Sequence, residues 1–301
     1  MLLVGTDDGL RRLDEGGDEL GIELGGQEVR AIAPEGSGWW ALADGEGLWR
    51  SLGSGSWDMA AAVQGASGNC LWSTSAGLLV GTGEAGLLRF TDGSLEPLES
   101  FEQVKGRSEW YTPWGGPPDS RSISEGSDGV IYVNVHVGGI VRSADAGRTW
   151  EPTIDIDADV HQVLAPAGRP GLVLAASAVG LAVSEDGGDS WRYETRGLHG
   201  TYLRAVAFSE GMVFVTASEG HRGRQAAVYV RPFGEEGPFT RCTQGLPDWF
   251  TNNIDTFCLA ASGTFAAFGT EQGTVFVSKD LGSSWREIAA GLPPVRCLTQ
   301  A

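Results

Sequence analysis

The stretch SADAGRTW at 143–150 returns as SEDGGDSW at 184–191 and as SKDLGSSW at 278–285, with Ser, Asp, Gly, a hydroxyl residue and Trp at fixed offsets. A phrase repeated in this way restricts the chain to architectures that reuse one supersecondary unit. Each copy closes a run of β-branched and apolar residues broken by a glycine, as in VIYVNVHVGGIVRS, so the unit reads strand, short turn, strand, phrase. The same cassette recurs without the full phrase at 2–13, 39–51, 78–90 and 212–230. Shortened phrases stand at 51–57 and 90–94.

Seven cassettes result. Measured between turn glycines at 9, 47, 86, 139, 180 and 273, the steps are 38, 39, 53, 41 and, across two cassettes, 93. A period in the forties with four strands per unit is the pattern of a β-propeller blade. The expectation is therefore an all-β chain, a single seven-bladed β-propeller over residues 1–301 with four-stranded antiparallel blades. The N-terminus opens on a second-strand sequence, while VRCLTQ follows the last outer strand. The C-terminal segment is thus expected to be the innermost strand of the blade built by residues 2–25, closing the ring and leaving no free edge.

The phrase resembles the Asp-box, or BNR repeat, of sialidase-like and sortilin-like propellers and of propellers similar to photosystem II assembly factors. Three spaced copies match S-x-D-x-G-x-[ST]-W in full. Physically it makes a turn between third and fourth strands: Asp accepts backbone N–H bonds, Gly adopts an angle other residues avoid, and Trp covers the corner. Asp145, Asp186 and Asp280 are read as structural, because the resemblance places the box away from the active site.

Composition narrows the partners. A formal charge of −18 disfavours a phosphate backbone or an anionic membrane as partner, so neither nucleic acid nor membrane is expected. MLLVGTDDG lacks a basic n-region and a long apolar run, which reads as a cytoplasmic protein. Cys70, Cys242, Cys258 and Cys297 lack CxxC spacing and read as buried thiols.

The innermost strands carry the functional argument. Aligned, they read 29–33, 69–73, 120–124, 160–164, 203–207, 254–258 and 295–299. Their fourth column (Ile32, Trp72, Ile123, Val163, Val206, Phe257, Leu298) is large and apolar and is expected to pack adjacent blades together. Their second column is Arg30, Cys70, Arg121, His161, Arg204, Asp255 and Arg296, almost entirely polar, and it stands where each strand enters the central channel. His136 and His221 fall in loops expected on the same side, with His199 and the aromatic loops EWYTPWGGPPDSR and PDWFTNN nearby.

Arg forks bind carboxylates and aromatic faces stack on sugar rings, so the channel mouth is expected to hold a small anionic ligand or acidic carbohydrate. The ligand-binding set is Arg30, Arg121, His136, Arg204, Glu219, His221, Asp255 and Arg296. The plain alternative is that these arginines pair internally with Asp255, Glu219 or Asp7 and Asp8. The catalytic candidates are His161, as the base that removes the proton next to a uronate carboxylate, and Tyr202, as the acid that protonates the leaving oxygen. The resemblance to sialidases implies glycoside hydrolysis instead, but the chain has no FRIP-like segment and no Tyr-Glu pair at a recognisable place, and sialidases have six blades. No cofactor is expected. HxH and HExxH spacings are absent, so no metal site is assigned, although His136, His161 and His221 fall on one side. The alternative function is a non-enzymatic scaffold that docks a protein partner, with an assembly-factor role ranked last.

Overall fold

The computed structural model describes residues 1–53 and 55–301; the shortened phrase at 51–57 includes position 54 and so lies in part outside the described residues. The chain is a seven-bladed β-propeller of four-stranded antiparallel sheets. Successive blades occupy 29–62, 68–97, 120–152, 160–194, 202–241 and 259–289, each running from inner to outer strand in chain order. The seventh is composite: Val295–Gln300 supplies its inner strand and pairs with Leu2–Thr6, followed by Gly9–Leu13 and Glu19–Glu23. Leu3 faces Thr299 and Val4 faces Leu298 in that closing pair, as the two chain ends require if no strand edge is to stay open. Among the described residues helix is confined to one turn at Glu99–Glu102 and two short 3-10 turns, and no helix is long and apolar enough to cross a membrane.

The chain divides into two compact units, Met1–Val29 with Ala176–Leu181 and Tyr193–Ala301, and Arg30–Ala175 with Ala182–Arg192. In the first, the core gathers Val4, Phe214, Phe268, Phe276, Trp285 and Leu298. In the second, Trp40, Leu42, Leu48, Leu71 and Val80 form one apolar cluster, and Tyr132, Ile140, Val160, Val163 and Val173 another.

The repeated phrase forms the same turn three times, between third and fourth strands. Ser143 Oγ donates to Asp145 Oδ1 (2.8 Å), which also accepts from the Thr149 N–H (2.8 Å), while Thr149 Oγ1 donates to Oδ2 (2.7 Å). Asp186 with Ser184 and Ser190, and Asp280 with Ser278 and Ser284, repeat the pattern. Hydroxyl and backbone N–H bonds from the residue four positions on lead this effect, and they hold the Asp145 and Asp186 carboxyls down to about 2. These aspartates serve the turn.

Two details of the inner strands differ from the sequence alignment. The second blade's strand runs Gly68–Thr74, and its Cys70 pairs with Gly81 as Cys297 pairs with Gly5, so Asn69 rather than Cys70 holds the second column and Leu71 replaces Trp72 in the fourth. In the sixth blade, 254–258 is not a strand; pairing starts at Leu259–Ser262. Cys258 N–H donates to the Asp255 carbonyl, and Phe257 takes a left-handed φ of 63°, so the expected strand is a turn instead.

A regular linkage joins the innermost segments of neighbouring blades within each unit. In the first unit Thr216 Oγ1 donates to Ile254 O (2.9 Å), Cys258 Sγ to Val295 O (3.5 Å) and Cys297 Sγ to Val29 O (3.5 Å). In the second, Cys70 Sγ donates to Ser120 O (3.6 Å) and Asn134 Nδ2 to Val160 O (3.1 Å). The donor comes from the inner strand where the facing residue is glycine (Cys70 against Gly81, Cys297 against Gly5). It comes from the second strand where the inner residue is small, as with Asn134 facing Ser122. The four cysteines are free and buried, as read from their spacing.

Candidate functional site

The second-column side chains owe their direction to a backbone irregularity. In the strands that hold Asn69, Arg121, Arg204 and Arg296, pairing breaks at that residue, between Gly68 and Cys70, Ser120 and Ser122, Leu203 and Val206, and across from Gly5 and Thr6. A β-bulge leaves the extra residue unpaired and re-aims its side chain, which is how a polar group can start a strand whose neighbours are buried.

In the first unit these arginines face a cleft of about 200 Å³, lined among others by Arg204, His221, Arg222, Asn252, Asp255 and Arg296. Arg204 Nε and Nη2 both reach Asp255 Oδ1, at 2.6 and 2.5 Å, and Nη1 donates to the Tyr202 hydroxyl at 3.4 Å. Burial opposes the Arg204 charge, and Asp255 with Tyr202 more than offsets it, holding the guanidinium above its usual range. Arg296 is clasped by Asp7, with Nη2 to Oδ2 at 2.8 Å, and Glu28 lies 3.6 Å from its Nε. Its hydrogen bonds to Asp7 raise its pKa. Internal pairing, the plain reading of the arginines, thus holds for Arg204 and Arg296.

The loop carrying His221 is fixed from beside the cleft. Asn253 accepts from Ser218 Oγ (2.7 Å) and donates to the His221 carbonyl (3.2 Å), while Asn252 Nδ2 donates to Glu271. A second hollow of about 180 Å³ is lined by Glu219, Gly220, His221, Arg222 and Arg224. His221 and Arg222 are exposed and border both. Arg222, Asn252, Asn253 and Glu271 were missed in sequence because none occupies an inner-strand column; the PDWFTNN loop was the available signal. His199 stands apart, its Nδ1 2.7 Å from the Tyr229 hydroxyl and its ring against Trp249.

In the second unit, His136 and His161 meet around one carboxylate. His136 Nε2 is 2.9 Å and His161 Nε2 3.7 Å from Asp159 Oδ1, with the rings 5.6 Å apart. His161 is fully buried and His136 5% exposed. The ring of Trp114, from the enlarged loop, lies 5.3 Å from that of His136. Burial raises the Asp159 pKa, but the His136 hydrogen bond and the charges of His161, His136 and Arg121 win, so the carboxyl sits below its ordinary value. Arg30 lies elsewhere in this unit and donates to Ser67 Oγ at 2.7 Å.

The structure therefore groups Arg204, Asp255, His221 and Arg296 on one cleft, with Tyr202 behind Arg204 and Glu219 beside the adjoining hollow. His136 and His161 meet at Asp159, on whose charge Arg121 also acts. His161 and Tyr202 belong to different units.

No family model matches the sequence, and no curated protein is significantly similar to it. Among solved structures, an ancestral GH74 enzyme is similar over 92% of this chain at 15% identity and a TM-score of 0.65; the chain spans 37% of that enzyme's length. YCF48 bound to D1 peptide is similar over 80% of this chain and 76% of its own, at 14% identity and a TM-score of 0.54. The WD40 repeats of RRP9 match over 98% and 87%, at 14% identity and a TM-score of 0.61. At these identities the likeness is one of fold.

Proposed function

We propose that the protein is a binding propeller whose cleft at Arg204, Arg222 and Arg296 takes one small acidic sugar. The observation that carries this reading is the make-up of the cleft: three guanidiniums, two carboxamides and two carboxylates around about 200 Å³. Such a volume is below the ~300–1,000 Å³ of drug-sized sites, which limits the occupant to a single small molecule. A ligand carboxylate pairs with the exposed fork of Arg222. Hydroxyls, which donate and accept, suit the amides of Asn252 and Asn253 and the carboxylates of Asp255 and Glu271. Arg204 and Arg296 are already paired with Asp255 and Asp7, so they act as fixed donors, and with Arg222 left to meet the charge the cleft favours a hydroxyl-rich monoanion over a polyanion.

Thermal shift tests this. Glucuronate, galacturonate and sialic acid are screened, with glucose and sulfate as controls. A ligand at about 100 times its Kd stabilises the folded state by about 2.7 kcal/mol, a readable shift. The reading stands if an acidic sugar stabilises the wild type but not Arg222→Ala, and falls if none does or if sulfate acts equally. Should the bound sugar also be turned over, Tyr202→Phe decides whether the hydroxyl behind Arg204 is its acid; unchanged turnover removes that role. A second reading, protein docking, is favoured by Tyr111 and Trp114, which are 50% and 67% exposed in the enlarged loop. Failure of every sugar moves that reading forward.

A further inference from the structure

We infer that His136, Asp159 and His161 bind one divalent transition-metal ion of the zinc class. The side-chain donor atoms of the three all lie within 4.8 Å of one another. A tetrahedron with bonds of 2.0–2.1 Å has edges of about 3.3 Å. The two separations from Asp159 Oδ1, 2.9 and 3.7 Å, bracket that edge, and the two imidazole nitrogens lie within 4.8 Å of each other.

The donors suit the ion. Two neutral imidazoles and one carboxylate are borderline ligands preferred by zinc, cobalt(II) and iron(II), not by magnesium or calcium, which favour oxygen. Three protein ligands fill three of the four positions of such an ion and leave one for water or a small anion.

The scaffold is rigid where the ligands attach. His161 lies within the strand Val160–Leu164. His136 directly follows Ile131–Val135, and its N–H donates to the Asp119 carbonyl at 2.8 Å. Asp159 ends a 3-10 turn at a left-handed φ of 48°, a conformation aspartate adopts only at some cost, and it precedes Val160 directly. The sequence concealed the group because Asp159 and His161, two residues apart, lie 23 and 25 residues from His136 on a separate backbone segment, with none of the usual metal spacings. His221, which sequence placed with the other two, belongs to the other unit's cleft.

The test uses the full chain without a histidine tag, stripped with chelator and then titrated with Zn²⁺ or Co²⁺. The expected result is one ion per chain after desalting, a visible ligand-field band of low-coordinate Co²⁺, and a thermal midpoint raised by Zn²⁺. Because His161→Gln can fail to fold, Asp159→Asn carries the decision, since its side chain is 30% exposed. Asp159→Asn and His136→Gln, each checked by circular dichroism, are expected to weaken binding at least tenfold. Wild-type protein that retains no ion and is not stabilised by Zn²⁺ overturns the inference, as do folded variants that bind like the wild type; the group is then a hydrogen-bonded His–Asp–His cluster.

Discussion

Gly81→Ala tests the linkage between inner strands. A Cβ at this position would stand 2.6 Å from Cys70 Sγ and 3.0 Å from both Ser120 Cβ and the Ser120 carbonyl. The first distance is below any ordinary contact, and the thiol is held there by its bond to the same carbonyl. Overpacking of this kind costs about 1–3 kcal/mol. Cys70→Ala alone removes the donor and leaves the buried Ser120 carbonyl short of a partner, costing about 1–2 kcal/mol. Together the two changes should cost less than their sum, because the sulfur that the added methyl group would strike is gone; the expected coupling is about 1–2 kcal/mol. Cys70→Ser combined with Gly81→Asn goes further and rebuilds the Ser122–Asn134 pair of the next blade, with the donor moved to the second strand. Calorimetry reads these values: at about 2.1 cal/mol/K per residue, a 301-residue chain moves its midpoint by about 1.5 °C per kcal/mol. Gly81→Ala melting like the wild type, or costing the same with and without Cys70, would refute the steric argument.

Removal of 294–301 takes away every partner of Leu2–Thr6 on its inner side and exposes Val4 and Gly5 along an open edge, so the melting temperature should fall sharply; a truncated chain that melts like the full one refutes strand closure. The Asp145 and Asp186 carboxyls, near 2 in the folded chain against 3.8 for an ordinary Asp, contribute stability that is complete above about pH 4 and is lost as pH falls towards 2. Asp145→Asn with Asp186→Asn should therefore flatten the acid limb of the stability curve between those values, measured by urea unfolding at successive pH; an unchanged limb rules out these turns as its source.

The blade repeat, the strand-turn-strand cassettes, the buried thiols and the composite closing blade were legible in sequence, because each follows from local patterns: alternation, turn glycines and a phrase that satisfies its own hydrogen bonds. The arginines were legible only as a column. Whether Arg204 and Arg296 stood open or paired depended on Asp255 and Asp7, which lie 51 and 289 residues away, and only folding brings those carboxylates within bonding distance. The misplaced column in the second blade has the same origin, since Asn69 and Cys70 are equally compatible with an alternating strand until the bulge against Gly81 selects one. Phe257 looked like a core residue of a strand, yet the Asp255 turn rotates that backbone out of the sheet. Asp159, whose neighbours in the chain mark only a loop, was invisible as a partner of two histidines. Sequence by itself thus determined the repeating unit, its number and the closure, since local hydrogen bonding and side-chain alternation encode them. Tertiary structure decided which charges meet, because that depends on distances between segments that no local pattern records.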